Sequence, residues 1–308
     1  MTNINRRDAV RLIGFAAFGF TTPFSPAAAG EKALLMLTRK IPSSNESLPV
    51  IGLGTWQTFD AGPSAAARQP LEAVLREFVA RGGSVLDSSP MYGRSEEVAG
   101  DLAAKLGVHP KLFVATKVWT TGKRAGIAQM EDSMRKLRVK RVDLMQVHNL
   151  VDVMTHLDTL AAWKREGRVR YTGVTHYTAG SHDDVARVIQ AGPVDFIQIN
   201  YSVGEREAER RLLPLAAERG VAVIANRPFA SGRLFRRLRD KPLPPWAAEI
   251  DCTSWAQVLL KFVVSHPSIT CAIPATSKVE HLTENMGAGG GKMPDEGLRR
   301  RIVAAVEN

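Results

Sequence analysis

Two cysteines in 308 residues are too few for a disulfide framework. Cys252 falls in a loop or helix start and Cys271 in a strand, so both read as free thiols. No group of His, Asp, Glu or Cys gathers at strand ends with metal-ligand spacing, which argues against a metal-dependent barrel hydrolase. No Ser or Cys stands where an activated nucleophile would. Apolar runs are short: residues 12–20 form one, far below the ~18 needed to cross a bilayer. Aromatics make up only 6% of the chain. The formal charge is +10, but the densest basic runs, 233–241 and 299–301, lack an accompanying set of stacking aromatics. They read as solvated helix faces, and a nucleic-acid partner is not expected. What remains is ordinary for a globular protein, with 44% hydrophobic and 23% charged residues. The length suits one α/β barrel of about 250 residues with additions.

Residues 1–29 read as an export signal. Arg6-Arg7 form a twin-arginine pair, the apolar run 12–20 follows, and Ser25-Pro26-Ala27-Ala28-Ala29 supply the small residues of a cleavage site. Domain organisation is therefore 1–29 signal and 30–308 barrel. Residues 33–41, with a turn at 43–47, predict a β-hairpin. Strands are expected at 50–53, 84–87, 112–116, 142–147, 169–174, 196–199, 221–225 and 269–273. Helices are expected between them at 71–80, 95–106, 127–137, 154–165, 183–190, 205–219 and 254–264, then at 282–286 and 298–306. Eight strands with intervening helices and no long linker point to a closed (β/α)8 TIM barrel. The glycine-rich stretch 287–291 lacks a preceding strand and a following Lys-Ser/Thr. It reads as a flexible connector to a short C-terminal helix rather than a phosphate cradle.

Residues just past the C-terminal ends of barrel strands share one mouth. Three apolar runs deliver Asp87 with Tyr92, Lys117, and His148 to that place. A phenol with a reference pKa of about 10 is a poor acid, and a neighbouring cation favours its anion. Lys117 would be that cation, Asp87 its counter-ion, and His148 a donor that orients a carbonyl oxygen. The set describes protonation of an oxygen while another species attacks its carbon. With no protein nucleophile available, a hydride from a bound cofactor is the natural candidate. After the last strand, Thr276-Ser277-Lys278 open a helix, a place that attracts phosphate; a plain helix cap is the alternative.

At these residues the chain resembles the aldo-keto reductase superfamily. The likeness runs through Gly52-Leu53-Gly54-Thr55-Trp56, Asp87 with Met91-Tyr92-Gly93, Thr116-Lys117 with Trp119, and Asp143-Leu144 with Gln146-Val147-His148. It continues in Gly173-Val174, Gln198-Ile199-Asn200-Tyr201, Ile273-Pro274 and Glu284-Asn285. The resemblance implies a (β/α)8 barrel with a hairpin floor and reduction of aldehydes and ketones by NADPH, with NADH also usable. Asp87, Tyr92, Lys117 and His148 are the implied catalytic set. Implied nucleotide contacts are Gly54, Thr55, Trp56, Asp87, Thr175, His176, Gln198, Asn226, Arg227, Phe229 and Ser231, then Ala275, Thr276, Ser277, Lys278, His281, Glu284 and Asn285. Trp56, Met91 and Trp119 would line the substrate mouth.

Three departures from the family pattern stand out. Ala275 and His281 replace a lysine and an arginine of NADP-preferring relatives, leaving Lys278 as the substitute cation. Thr175-His176 stand where Ser-Asn is usual. The segment from Asn226 to Phe229 lacks the tyrosine that stacks on nicotinamide, so Arg227 or Phe229 would take that role. Together with the signal, the chain is similar to periplasmic bacterial members, with the twin-arginine machinery as a partner and a monomer as the expected state. The competing reading is a cofactor-loaded sensor or partner subunit with little turnover.

Overall fold

The structure, a computed structural model, describes residues 35–307; the export segment read at 1–29 lies outside them. A hairpin comes first, β1 (Thr38–Lys40) against β2 (Ser47–Pro49). Strands and helices then alternate: β3 (Leu53–Gly54), α1 (Ala65–Ala80), β4 (Val85–Asp87), α2 (Ser95–Leu106), β5 (Phe113–Val118) and α3 (Lys123–Lys136). They continue as β6 (Val142–His148), α4 (Val153–Arg165), β7 (Val169–Thr175), α5 (His182–Ala191), β8 (Phe196–Asn200), α6 (Leu212–Glu218) and β9 (Ala222–Asn226). The series ends with α7 (Arg233–Leu238), α8 (Trp255–Ser265), β10 (Cys271–Ala272), α9 (Val279–Gly287) and α10 (Glu296–Glu307).

Strands β3 to β10 pair in chain order, every pair parallel. The ring closes where β10 meets the segment entering β3. Gly52 N donates to Ala272 O and Ala272 N to Val50 O, both at 2.8 Å, and Gly54 N donates to Pro274 O at 3.0 Å. Closure leaves no strand edge unpaired. The expected eight-stranded barrel and its hairpin are both present.

Side chains alternate across each strand, and the alternation sorts two apolar layers. One fills the barrel: Val85, Phe113, Ala115, Leu144, Tyr171, Phe196, Ala222, Ile224, Cys271 and Ile273, joined by Ile41 and Leu48 from the hairpin. The hairpin thus plugs the floor, and Phe113, Tyr171 and Phe196 meet with ring centroids 5.6–6.1 Å apart. The other layer, including Leu86, Val114, Met145, Val147, Val174, Ile197 and Val223, packs beneath the helices. Continuing each inward series toward the mouth gives Asp87 after Val85, Lys117 after Phe113 and Ala115, and Gln146 and His148 after Leu144. Gln198 follows Phe196 in the same way. Site and core therefore occupy alternate halves of one surface.

Three expectations are corrected. The single helix at 205–219 is broken into a 3-10 turn, Glu207–Arg210, and α6. Pro214 explains the break: in a continuous helix its ring would collide with the carbonyl of Arg210, four residues back. The glycine run 287–291 is not a loose connector. Gly289 and Gly290 are buried, Leu37 N donates to Gly289 O at 2.7 Å, and the buried Lys261 ammonium donates to Ile250 O, Gly290 O and Lys292 O at 2.7–2.8 Å. A Cβ at Gly289 would lie 2.3 Å from Met36 Sδ, so glycine here serves close approach. Finally, Arg299 is buried rather than solvated. Its guanidinium reaches Ser265 Oγ at 2.7 Å, Tyr201 OH at 2.8 Å and Glu209 Oε1 at 2.9 Å.

Candidate active site

Asp87 ends β4 and Lys117 lies one residue before the end of β5, both facing inward. Lys117 is fully buried and Asp87 nearly so. Lys117 Nζ donates to Asp87 Oδ2 and to Ser88 O, each at 2.7 Å. The other carboxylate oxygen, Oδ1, accepts from Gln198 Nε2 at 2.8 Å and, more weakly, from Gln146 Nε2 at 3.5 Å. Thr175 Oγ1 in turn donates to Gln198 Oε1 at 3.2 Å. Behind Asp87, the Thr55 hydroxyl donates to its carbonyl at 3.0 Å and lies 2.9 Å from Ser88 Oγ. Lys117, Gln198 and Gln146 thus converge on one carboxylate, the arrangement that keeps a buried charge pair tolerable.

Tyr92 is half-buried on the loop after β4. Lys117 Nζ sits 5.1 Å from its ring centroid, and the His148 ring meets it edge-on, centroids 5.9 Å apart. The four predicted residues therefore come together. The electrostatics refine the expectation for Tyr92. Burial, the largest influence, pushes the phenol up; Lys117 pulls it down without prevailing, and Asp87 adds to the rise. At rest the phenol is firmly protonated, as a proton donor must be. For Lys117 burial works against the charge, but Asp87, with Tyr92 and Glu96, outweighs it and raises the ammonium above its ordinary value. His148 is pushed down to about 2 by burial first and then by Lys117 and His176, so its imidazole is neutral. Its Nδ1 lies 3.0 Å from Ser89 Oγ.

Trp56, Met91 and Trp119 follow three adjacent strands, β3, β4 and β5, and are 45%, 39% and 42% exposed. They give the mouth an apolar, aromatic rim on that side. On the far side His176 stacks on Tyr177, centroids 5.4 Å apart, and is held by Ser181 Oγ at 3.1 Å from Nε2. Asn226 Nδ2 donates to His176 O at 3.1 Å. Arg227 donates to Tyr177 O at 2.8 Å and to Ser231 Oγ at 3.1 Å; Phe229 packs on Phe235 at 4.7 Å. Arg227, Ala230 and Ser231 all adopt left-handed backbone, φ 52°, 49° and 53°, and strain of this kind concentrates at binding loops.

The residues present fit a dinucleotide. Gln146 Oε1 and Asn226 Oδ1 are buried without a protein partner, two acceptors on the inner face suited to a carboxamide. Past β10, Thr276 Oγ1 accepts from Lys278 N at 3.1 Å. Ala275, Ser277, Lys278 and His281 are exposed, Glu284 is half-buried and Asn285 buried. Helix α9 begins with no side-chain cap on its first amides, which suits phosphate. A groove of about 910 Å3 lies at the opposite end, lined by Pro42, Lys164, Asp195 and Arg219 among others. Lys164 there is already bound to Asp195 at 2.6 Å, and no acid–base set faces it. Among the described residues no His/Cys/Asp/Glu group could hold a metal, and no helix is long and apolar enough to cross a membrane.

Sequence reasoning passed over Ser88, Ser89 and Tyr177, and gave Gln146 no role. Gln146 was open to inference, because it precedes His148 by two and so shares its face. The serines carried no such signal, since their part depends on a distance.

The chain belongs to the aldo/keto reductase family, whose model matches residues 50–300. Methylglyoxal reductase YeaE of Escherichia coli (strain K12) is 30% identical to it over 251 residues, 79% of this chain and 86% of that protein. A Klebsiella pneumoniae aldo-keto reductase solved in complex with NADPH superposes with a TM-score of 0.74 at 26% identity, covering 87% of this chain and 94% of that one. An aldo/keto reductase structure from the same organism, in complex with NADP and acetate, gives 0.70 at 26% identity, covering 84% and 91%.

Proposed function

We propose that this protein reduces small aldehydes and ketones with NADPH, using Tyr92 as the proton donor, and that it works after export. One observation carries the reading: a fully buried Lys117, fixed by Asp87, lies beside a protonated Tyr92 whose ring also meets the neutral His148 edge-on. When bound, the reduced nicotinamide supplies the hydride that adds to the carbonyl carbon. Tyr92 gives its phenolic proton to the carbonyl oxygen, so the product is an alcohol. The phenolate left behind lies beside the Lys117 ammonium, which lowers the cost of the transfer. His148, uncharged, donates a hydrogen bond to the same oxygen and orients it. Gln198 and Thr175 keep Asp87 aimed at Lys117. Gln146, Asn226 and the start of α9 would hold the nucleotide, with Lys278 the cation for its 2′-phosphate. Trp56, Met91 and Trp119 favour a substrate with an apolar body. The twin-arginine pair, short apolar run and Ala-rich site at 1–29 support export to the periplasm as a folded, loaded molecule.

Tyr92→Phe tests the assignment. Removing the proton donor should lower kcat/KM for a good aldehyde by about 10²–10⁴-fold, the usual worth of a positioned general acid, with NADPH affinity nearly unchanged. Reduction persisting within a few-fold would mean that another group delivers the proton.

A further inference from the structure

The structure assigns Ser89 as a positioning residue that fixes His148 in the tautomer with its proton on Nε2, the form able to donate toward the mouth. The inference rests on the reading of His148 as a carbonyl-orienting donor. A neutral imidazole has one N–H and one bare nitrogen, and which is which is set by the partner of the inner nitrogen. Here that partner is the Ser89 hydroxyl, 3.0 Å from Nδ1. A hydroxyl can donate or accept, so both tautomers could form this contact, and the surroundings must decide.

They decide by counting. Ser89 is fully buried. Its oxygen already faces one donor, Met91 N–H at 3.4 Å, and its only acceptor within reach among the described residues is His148 Nδ1. If Ser89 donates to Nδ1, its proton has an acceptor, its oxygen has a donor, and Nε2 carries the remaining hydrogen outward. If instead Nδ1–H donated to Ser89, the hydroxyl would face two donors and its own proton would be stranded in the interior, a state that buried polar groups avoid. Nε2 would also be bare, and a bare nitrogen cannot donate to a carbonyl oxygen. The same residue holds the phenol's backbone: Tyr92 N donates to Ser89 O at 3.0 Å. Ser89 thus ties His148 and Tyr92 to one point, with its hydroxyl and its carbonyl respectively.

Nitrogen-15 NMR of the imidazole side chains in the full-length protein, without nucleotide or substrate, reads the tautomer directly. The chain has 7 histidines, and His148 is identified by the signal lost in His148→Gln. Wild type should show Nε2–H alone. Ser89→Ala should introduce an Nδ1–H population, and kcat/KM should fall about 5- to 10-fold, the loss of one ordinary hydrogen bond. Ser89→Cys, whose thiol is a weaker donor, should recover part of both. An Nδ1–H signal in wild type overturns the inference, even if no Ser89 variant folds. So does a Ser89→Ala protein whose His148 stays wholly Nε2–H with unchanged kcat/KM. If the tautomer shifts as expected while Tyr92→Phe keeps full activity, Ser89 retains its role and the reductase assignment fails instead.

Discussion

Lys117 and Asp87 can be dissected against each other, because stability and activity should part company when they are. Lys117 is fully buried, its Nζ 2.7 Å from Asp87 Oδ2. Asp87→Asn strands a buried ammonium without its counter-ion. The penalty has a ceiling, because the lysine can shed its proton. With a reference pKa of about 10.4, doing so at pH 7 costs roughly 3.4 × 1.36, or about 4.6 kcal/mol. Lys117→Met leaves the carboxylate with the amides of Gln198 and Gln146, and breaking a buried pair from either side costs about 3–5 kcal/mol. The double variant removes both charges and replaces the pair by groups of similar volume, a change that is often neutral. Urea unfolding followed by tryptophan fluorescence should therefore find the double variant more stable than either single one, although all three lose carbonyl reduction.

The pH dependence carries a definite sign. In Asp87→Asn the stranded lysine has a folded pKa below its unfolded value, so the unfolded chain holds the extra proton. Stability then climbs with pH, and the deficit should shrink by about 1.4 kcal/mol per unit from pH 7 toward pH 10. A double variant whose loss equals the sum of the singles within about 0.5 kcal/mol, the tolerance for independent sites, would refute the coupling and with it the idea that Asp87 exists to hold Lys117 charged.

Lys278→Ala addresses nucleotide choice. A hydrogen bond to a charged group is worth about 1.5–3 kcal/mol, so NADPH should bind roughly 10–150-fold more weakly and NADH far less so; titration by tryptophan fluorescence separates them, and equal losses would show that Lys278 does not read the 2′-phosphate. Replacing Arg6 and Arg7 with lysines should leave precursor in the cytoplasm on cell fractionation, whereas undiminished export would point to another route.

Much of the barrel was legible because parallel strands buried on both faces read as short continuous apolar runs. Residues 95–106 were placed without error, and β6 and β7 to within one residue. Failures have particular causes. Pro214 broke a helix that periodicity alone made continuous. Pro70 hid the first six residues of α1, which starts at Ala65 under a Ser64 cap. Glycine composition in 287–291 could not distinguish freedom from close approach, which depends on Met36, more than two hundred residues away. Arg299 looked solvated because its partners Tyr201 and Glu209 lie far off in sequence. In the site, strand ends pointed to Asp87, Lys117 and His148. They could not tell whether burial or Lys117 would dominate the Tyr92 phenol, since that balance depends on depth.

The alternation along the barrel strands has a consequence for quality control. Phe113 and Lys117, Leu144 and Gln146, and Phe196 and Gln198 share the inward face of their strands, separated by an even number of residues. A strand misplaced by one residue would send its hydrophobic member outward and push Lys117, Gln146 or Gln198 in among the helices. A barrel misregistered by one residue can thus not keep its core and lose only its chemistry. An inspection that asks merely whether the chain has collapsed into its proper shape, such as a translocation pore reserved for finished proteins, would then also be selecting molecules whose acid, ammonium and imidazole are already in place.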